Sequence, residues 1–327
     1  MKTLFFLLSM LPLLGARAAD GGFLFVTFKG EATPMTEQIY FALSPDGRNW
    51  EALNNAEPVL VSALGEKGVR DPFLLRSHDK KKFYLLATDL SIHLTKHDWN
   101  RATHAGSKSI VIWESEDLVH WGEPRLVRVA ADDAGCTWAP EAVYDEDTQD
   151  YLVFWASMNA SDNFGRQRIW ACRTKDFRTF GKPFIYIDKK HHVIDTDIVF
   201  DAGNYLRFSK DEQFKAITME VSQKLMGPWQ DVTNFSLAKM QGYEGPLCFL
   251  LEPASSGKPP TWCLLLDHYA KGEGYKAFVT HDLAGGKFES VSDFKFPFRF
   301  RHGVVVPITE TERDRLKAAF GSNKPAK

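Results

Sequence analysis

The sequence predicts an all-β fold, a five-bladed β-propeller. Three observations predict it. A strand, turn and aromatic unit recurs along the chain; five strand starts are polar with apolar runs behind them; and no long amphipathic helix competes with the strand pattern.

The repeat is clearest as Ser44-Pro45-Asp46-Gly47-Arg48-Asn49-Trp50, Ser115-Glu116-Asp117-Leu118-Val119-His120-Trp121 and Thr174-Lys175-Asp176-Phe177-Arg178-Thr179-Phe180. Looser copies run from Ser222 to Trp229 and from Thr280 to Phe288. Hydroxyl and carboxylate groups in such turns bond the backbone, and the aromatic covers the blade edge. Five copies imply five blades; a β-sandwich with recurring hairpins is the competing architecture.

Strand pairs lie between the copies. Phe73–Arg76 is expected to pair with Phe83–Thr88, Ala142–Asp145 with Tyr151–Trp155, Ile198–Phe200 with Tyr205–Phe208, and Cys248–Leu251 with Trp262–Leu266. Arg301-His302-Gly303-Val304-Val305-Val306 has the start of an inner strand and nothing after it, whereas Phe23–Thr27 and Gln38–Leu43 have no inner strand before them. Joining the two completes the last sheet and closes the ring. Thr309-Glu310-Thr311-Glu312 reads as a capping box opening a short helix with Leu316 and Phe320 on its apolar side.

Residues 1–18 read as a secretory signal, with Lys2, an apolar run from Leu4 to Leu14 and a small-residue cleavage site at Ala16-Arg17-Ala18. Residues 19–327 are expected to form one catalytic propeller domain, secreted, or periplasmic in a bacterial source, and monomeric. No later segment is apolar enough to span a membrane, and a net charge of -2 gives no electrostatic case for nucleic acid. Cys136, Cys172, Cys248 and Cys263 lack zinc spacing; Cys248 and Cys263 either face each other across a hairpin or stay as buried thiols. Asn159 and Asn234 head glycosylation sequons. His93, His97 and His104 sit in a 91–107 insertion that reads as a solvated loop, able to rim an axial pocket, ahead of a metal site.

In a propeller the inner strands converge, so side chains at their starts meet. Asp71, Asp195 and Glu244 hold such positions in separate blades. One carboxylate at a strand start is ordinarily a turn cap. Three, each beside Pro, Gly or Ile, point to a site.

The ordered motifs Arg70-Asp71-Pro72, Trp138-Ala139-Pro140-Glu141, Val193-Ile194-Asp195-Thr196-Asp197, Tyr243-Glu244-Gly245-Pro246 and Arg301-His302-Gly303 resemble glycoside hydrolase family 43 over essentially all of the mature chain. The resemblance implies single-displacement hydrolysis of arabinofuranosides, xylosides or some galactosides. It implies Asp71 as general base, Asp195 as the residue that tunes the acid and orients sugar, and Glu244 as general acid. It gives His302 as the axial histidine that in some members contacts calcium or a central water; no cofactor is otherwise required. Asp197 rivals Asp195, which is nearer the mouth.

An inverting reaction needs a base that activates water and an acid that protonates the leaving oxygen. Glu244 is therefore expected to have a raised pKa, with Asp195 supplying the negative charge. Trp138 and Glu141 are expected to face or support the pocket, Arg301 to bind sugar hydroxyls or pair with a catalytic carboxylate, and Phe28 to form an aromatic wall. Asp89 and Asp267, ending second strands, are expected in turns or networks. The favoured substrate is a terminal α-L-arabinofuranosyl residue on a plant-type polysaccharide. Alternatives are β-xylosidase or exo-galactosidase activity, and a propeller that binds carbohydrate without catalysis.

Overall fold

In a computed structural model describing residues 20–321, five four-stranded antiparallel sheets form the propeller. The expected leader, residues 1–18, lies outside the described residues. The first blade comprises β4 (Val69–Arg76), β5 (Phe83–Asp89), β6 (Ser109–Ser115) and β7 (Arg125–Arg128). The second comprises β8 (Trp138–Asp145), β9 (Asp150–Ser157), β10 (Arg168–Thr174) and β11 (Phe184–Ile187). The third comprises β12 (Val193–Asp201), β13 (Asn204–Asp211), β14 (Ala216–Ser222) and β15 (Gln230–Asp231). The fourth comprises β16 (Glu244–Glu252), β17 (Thr261–Asp267), β18 (Tyr275–Thr280) and β19 (Glu289–Val291). The last blade takes β1 (Phe23–Thr27), β2 (Tyr40–Ser44) and β3 (Glu51–Ala52) from one end of the chain and β20 (Val304–Pro307) from the other, with Val26 opposite Val304. Inner strands β4, β8, β12, β16 and β20 contact one another in cyclic order.

Each blade packs on both faces, which explains the nearly continuous apolar second strands. In β5, Leu85 enters the core shared with the last blade and Leu86 the core shared with the second. In β17, Leu264 and Leu265 divide in the same way between the cores on either side. This alternation also decides the cysteines. Cys263 lies opposite Phe249 and Cys248 opposite Leu264, so the two thiols point into different cores. All four cysteines are free and buried.

The recurrent turn has one bonding scheme. The Asp46 carboxylate accepts the Arg48 and Asn49 amides at 2.8 Å each, and Trp50 Nε1 donates to the Gly47 carbonyl at 3.1 Å. Asp117 accepts the Val119 and His120 amides, with Trp121 bonded to the Leu118 carbonyl. Asp176 accepts the Arg178 and Thr179 amides.

Helix α2 (Glu310–Phe320) begins with the expected capping box, and Leu316 is fully buried. Arg76 of β4 clamps it through a two-pronged pair with Glu312 at 2.6 and 2.8 Å. The Asn159 sequon is closed to a glycan: its side chain is 1% exposed and donates to Asp133. Asn234 is exposed.

Candidate active site

Four inner strands open with a one-residue bulge: at Asp71-Pro72, at Ala139-Pro140, at Asp195 and at Gly245-Pro246. Asp71, Ala139, Asp195 and Gly245 have φ of 47°, 46°, 49° and 53°, in the left-handed region. Aspartate tolerates that region better than most residues, and proline follows at three of the four sites. A bulge breaks alternation and re-aims side chains. Here it turns consecutive residues, Arg70 with Asp71 and Ile194 with Asp195, toward one cavity of about 490 Å³. Glu244, Arg301, His302 and Trp138 line the same cavity. The three motif carboxylates thus meet, although 173 residues separate Asp71 from Glu244.

Asp71 Oδ2 accepts the Thr88 hydroxyl at 3.0 Å, and the same hydroxyl accepts the Ala139 amide at 2.8 Å. His302 Nδ1 lies 3.6 Å from Asp71 and 3.9 Å from Asp195. The ring rests on Gly245, where a Cβ would come within 2.8 Å of it. Asp195 Oδ2 accepts the Gly245 amide at 3.2 Å, and burial pushes its pKa up to about 6 against the pull of His302. Asp197 does not line the cavity. Its carboxylate lies below, accepting the Cys248 amide at 2.7 Å, and burial pushes it up to about 7.

Glu244 departs from expectation. Burial acts to raise its pKa, but the cations outweigh burial and hold the carboxyl below its ordinary value. Lys210 donates to Oε2 at 2.9 Å and Arg301 to Oε1 at 2.8 Å. Asp267 fixes Arg301 through Nε at 2.5 Å, the network role expected of it. Asp89 accepts the Glu66 amide at 2.8 Å, also in a network. Lys210 is 2% exposed, bonds Glu212 at 2.8 Å and lies 4.3 Å over the Tyr269 ring.

One expected sugar contact is corrected and another is narrowed. Phe28 is fully buried and forms no wall; it lies beneath two guanidinium groups, 4.7 Å from Arg70 and 5.6 Å from Arg301. Glu141 is buried under the floor, its pKa raised well above the ordinary value by burial and by Asp197 and Asp195. It supports the pocket and cannot face it. The 91–107 insertion does rim the cavity through His97 and Trp99, and contains the short helix α1 (Trp99–His104). Trp99 meets Trp138 edge-to-face at 6.2 Å.

Sequence reasoning missed Lys210, Glu31 and Tyr269. Lys210, next to last in β13, lies opposite Ile194, and Asp267 ends β17 opposite Glu244. A charged residue closing an apolar second strand was the available signal. Glu31 lies in a loop, and its salt bridge to Arg70 at 2.9 Å left no pattern in the sequence.

Among the described residues no three His, Cys, Asp or Glu side chains group to hold an ion. His302 Nδ1 is turned toward the two aspartates.

The chain is 28% identical over 305 residues to an α-L-arabinofuranosidase of Bifidobacterium longum, and spans 28% of that protein's length. Two solved structures share the fold. One, a candidate exo-β-1,3-galactanase of Bifidobacterium bifidum, has a TM-score of 0.54 at 9% identity, covering 87% of this chain and 91% of its own. The other, an endo-1,4-β-xylanase of Bacteroides thetaiotaomicron, has a TM-score of 0.54 at 14% identity, covering 88% and 97%. Residues 19–314 match the model of a family related to glycoside hydrolase family 43 and described as a "probable glycosyl hydrolase domain". With that match running through all five blades and every motif that lines the cavity, the chain belongs to this glycosyl hydrolase family.

Proposed function

We propose that the protein is a secreted, monomeric, inverting glycosidase that releases terminal α-L-arabinofuranosyl residues from a plant-type polysaccharide. The observation that carries the reading is the shared cavity of Asp71, Asp195 and Glu244. The arabinofuranosidase similarity favours this sugar over xylose or galactose; the leader-like residues 1–18 support export.

In this reading Asp71, oriented by Thr88, takes a proton from water as that water attacks the anomeric carbon. Glu244 gives its proton to the departing oxygen, and Asp195 favours the protonated acid when it is itself ionised. Inversion requires about 6.5–9.5 Å between acid and base, leaving room for the water. Because two cations favour the Glu244 carboxylate, activity is expected on the acid side of neutrality. Calcium, if bound, would be held in part by His302 and would supply positive charge beside Asp71 and Asp195.

The test is release from nitrophenyl α-L-arabinofuranoside, β-xyloside and β-galactoside. Asp71→Asn and Glu244→Gln should each lower kcat by about 10²–10⁴-fold. Sugar binding without release by the unmutated protein would instead favour the non-catalytic propeller; release from the xyloside or galactoside alone would replace the proposed sugar.

A further inference from the structure

A cavity larger than the axial one lies outside it. A groove of about 860 Å³ runs over the outer edge of the fourth blade, between β18 and the 292–300 segment. Its floor is aromatic. Phe294, Phe296 and Phe298 alternate along the segment, and Tyr243 lies on the opposite side. β19 pairs only with Ala277–Val279, so it does not extend to Tyr275, at the start of β18. Arg48 lies over Phe294 at 5.4 Å, Lys29 over Phe298 at 4.4 Å, and Tyr243 stacks on His268 at 4.2 Å, so the groove offers ring edges among polar groups, a lining that suits a sugar chain with its apolar faces and hydroxyl edges.

The groove adjoins the axial cavity. The 3-10 turn Tyr269–Lys271 gives Tyr269 to the axial cavity and Lys271 to the groove. Arg299 lines the groove and Arg301, two residues on, lines the cavity. Arg299 crosses the divide along a path cleared by glycines. A Cβ at Gly30 would come within 2.7 Å of its guanidinium, and one at Gly274 within 2.9 Å of its Cγ.

Cations predominate at the junction, with Glu273 on the lining and Glu31 near enough to Arg299 to feel its charge. Glu273 is taken up by His268 at 2.9 Å and Lys276 at 3.2 Å. Arg299 has a weak bond to the Lys29 carbonyl at 3.4 Å, and neither it nor Lys271 is in an ion pair among the described residues. Two cations are thus offered at the junction, where a guanidinium can grip a carboxylate with two parallel bonds.

We propose that this groove binds the main chain of a uronic-acid-bearing polysaccharide, with carboxylates at Arg299 and Lys271, while a neutral terminal branch sugar enters the axial cavity. The assignment rests on the hydrolytic reading for the branch sugar; the groove itself is tested by binding alone.

The full chain is titrated calorimetrically with an oligogalacturonate and with the same oligosaccharide after reduction of its carboxyl groups. Neither bears an arabinofuranosyl end, so turnover does not intrude, and a failed aryl-glycoside assay leaves the result standing. The acidic probe should bind at least tenfold more tightly than the reduced one. Arg299→Met and the exposed Lys271→Met should each weaken it at least fivefold, with Arg299→Lys falling between Arg299→Met and the unmutated protein. Equal affinity for the two probes, binding of neither, or an acidic-probe Kd unchanged in both Met variants overturns the proposal.

Discussion

Lys210, on the second strand of one blade, donates to Glu244, on the first strand of the next, at 2.9 Å. A nearly buried ammonium is thus committed to the carboxylate proposed as proton donor, and the donor's pKa is held down. The pairing yields a test of which role Glu244 has. Replacing Lys210 with Met removes positive charge and raises the Glu244 pKa. If Glu244 is the acid, the alkaline limb of the kcat/KM profile moves to higher pH. If it were the base, the acid limb would move instead. Breaking the buried pair should also cost roughly 3 kcal/mol, readable by denaturant unfolding.

Asp195→Asn gives a second test. The Glu244 pKa is held below its ordinary value while Asp195 lies at about 6, so Glu244 loses its proton first and its charge then helps to hold the Asp195 proton. Asparagine keeps the neutral shape over the range in which Glu244 is protonated, so the Glu244 limb should stay in place while a limb near pH 6 disappears. A limb near pH 6 that survives in the variant would remove Asp195 from its proposed role.

Gly245→Ala should be among the most damaging small substitutions. The residue has φ 53° and sits against the His302 ring, with 2.8 Å available to a Cβ. Left-handed strain of about 1–2 kcal/mol adds to overpacking of about 1–3 kcal/mol. Unfolding should show a loss of about 2–5 kcal/mol. Activity should fall as well, because His302 leads to Asp71.

Glu141 and Asp197 supply a pH signature. Their folded pKa values lie above the unfolded ones, Asp197 at about 7. The folded state therefore holds these protons more tightly; the Asp197 share of stability declines as pH rises from about 4 toward 7 and then levels, and the Glu141 share declines as pH rises above the ordinary carboxylate range. Glu141→Gln keeps the neutral shape and removes its part of that decline. Melting temperatures from pH 4 to 8 should show a flatter course for the variant.

Much of this architecture was readable from residue order. The turn aspartates at 46, 117 and 176 make local bonds, so their pattern survives in the sequence. The motif carboxylates were legible because strand starts in a ring must converge. Alternation served less well at the mouth. The bulges shift register by one residue, which separates Asp195 from Asp197 in height and buries Glu141. The pKa of Glu244 was misjudged because Lys210 comes from a different hairpin, 34 residues away. A long-range partner leaves no spacing rule behind. Phe28 illustrates the same limit: whether an aromatic faces sugar or underlies arginine depends on what crosses above it.

The sheet shared by β1 and β20 has a consequence for biosynthesis. As the polypeptide emerges from the ribosome, β1 through β3 must wait for a companion that follows Ala52 by 252 residues. Until Val304–Pro307 arrive, the Leu24 and Val26 side of the nascent protein has an unpaired border and an incomplete core. Premature termination before that strand would therefore unfasten the whole circle, and a chaperone surveying for open sheet borders would find one there.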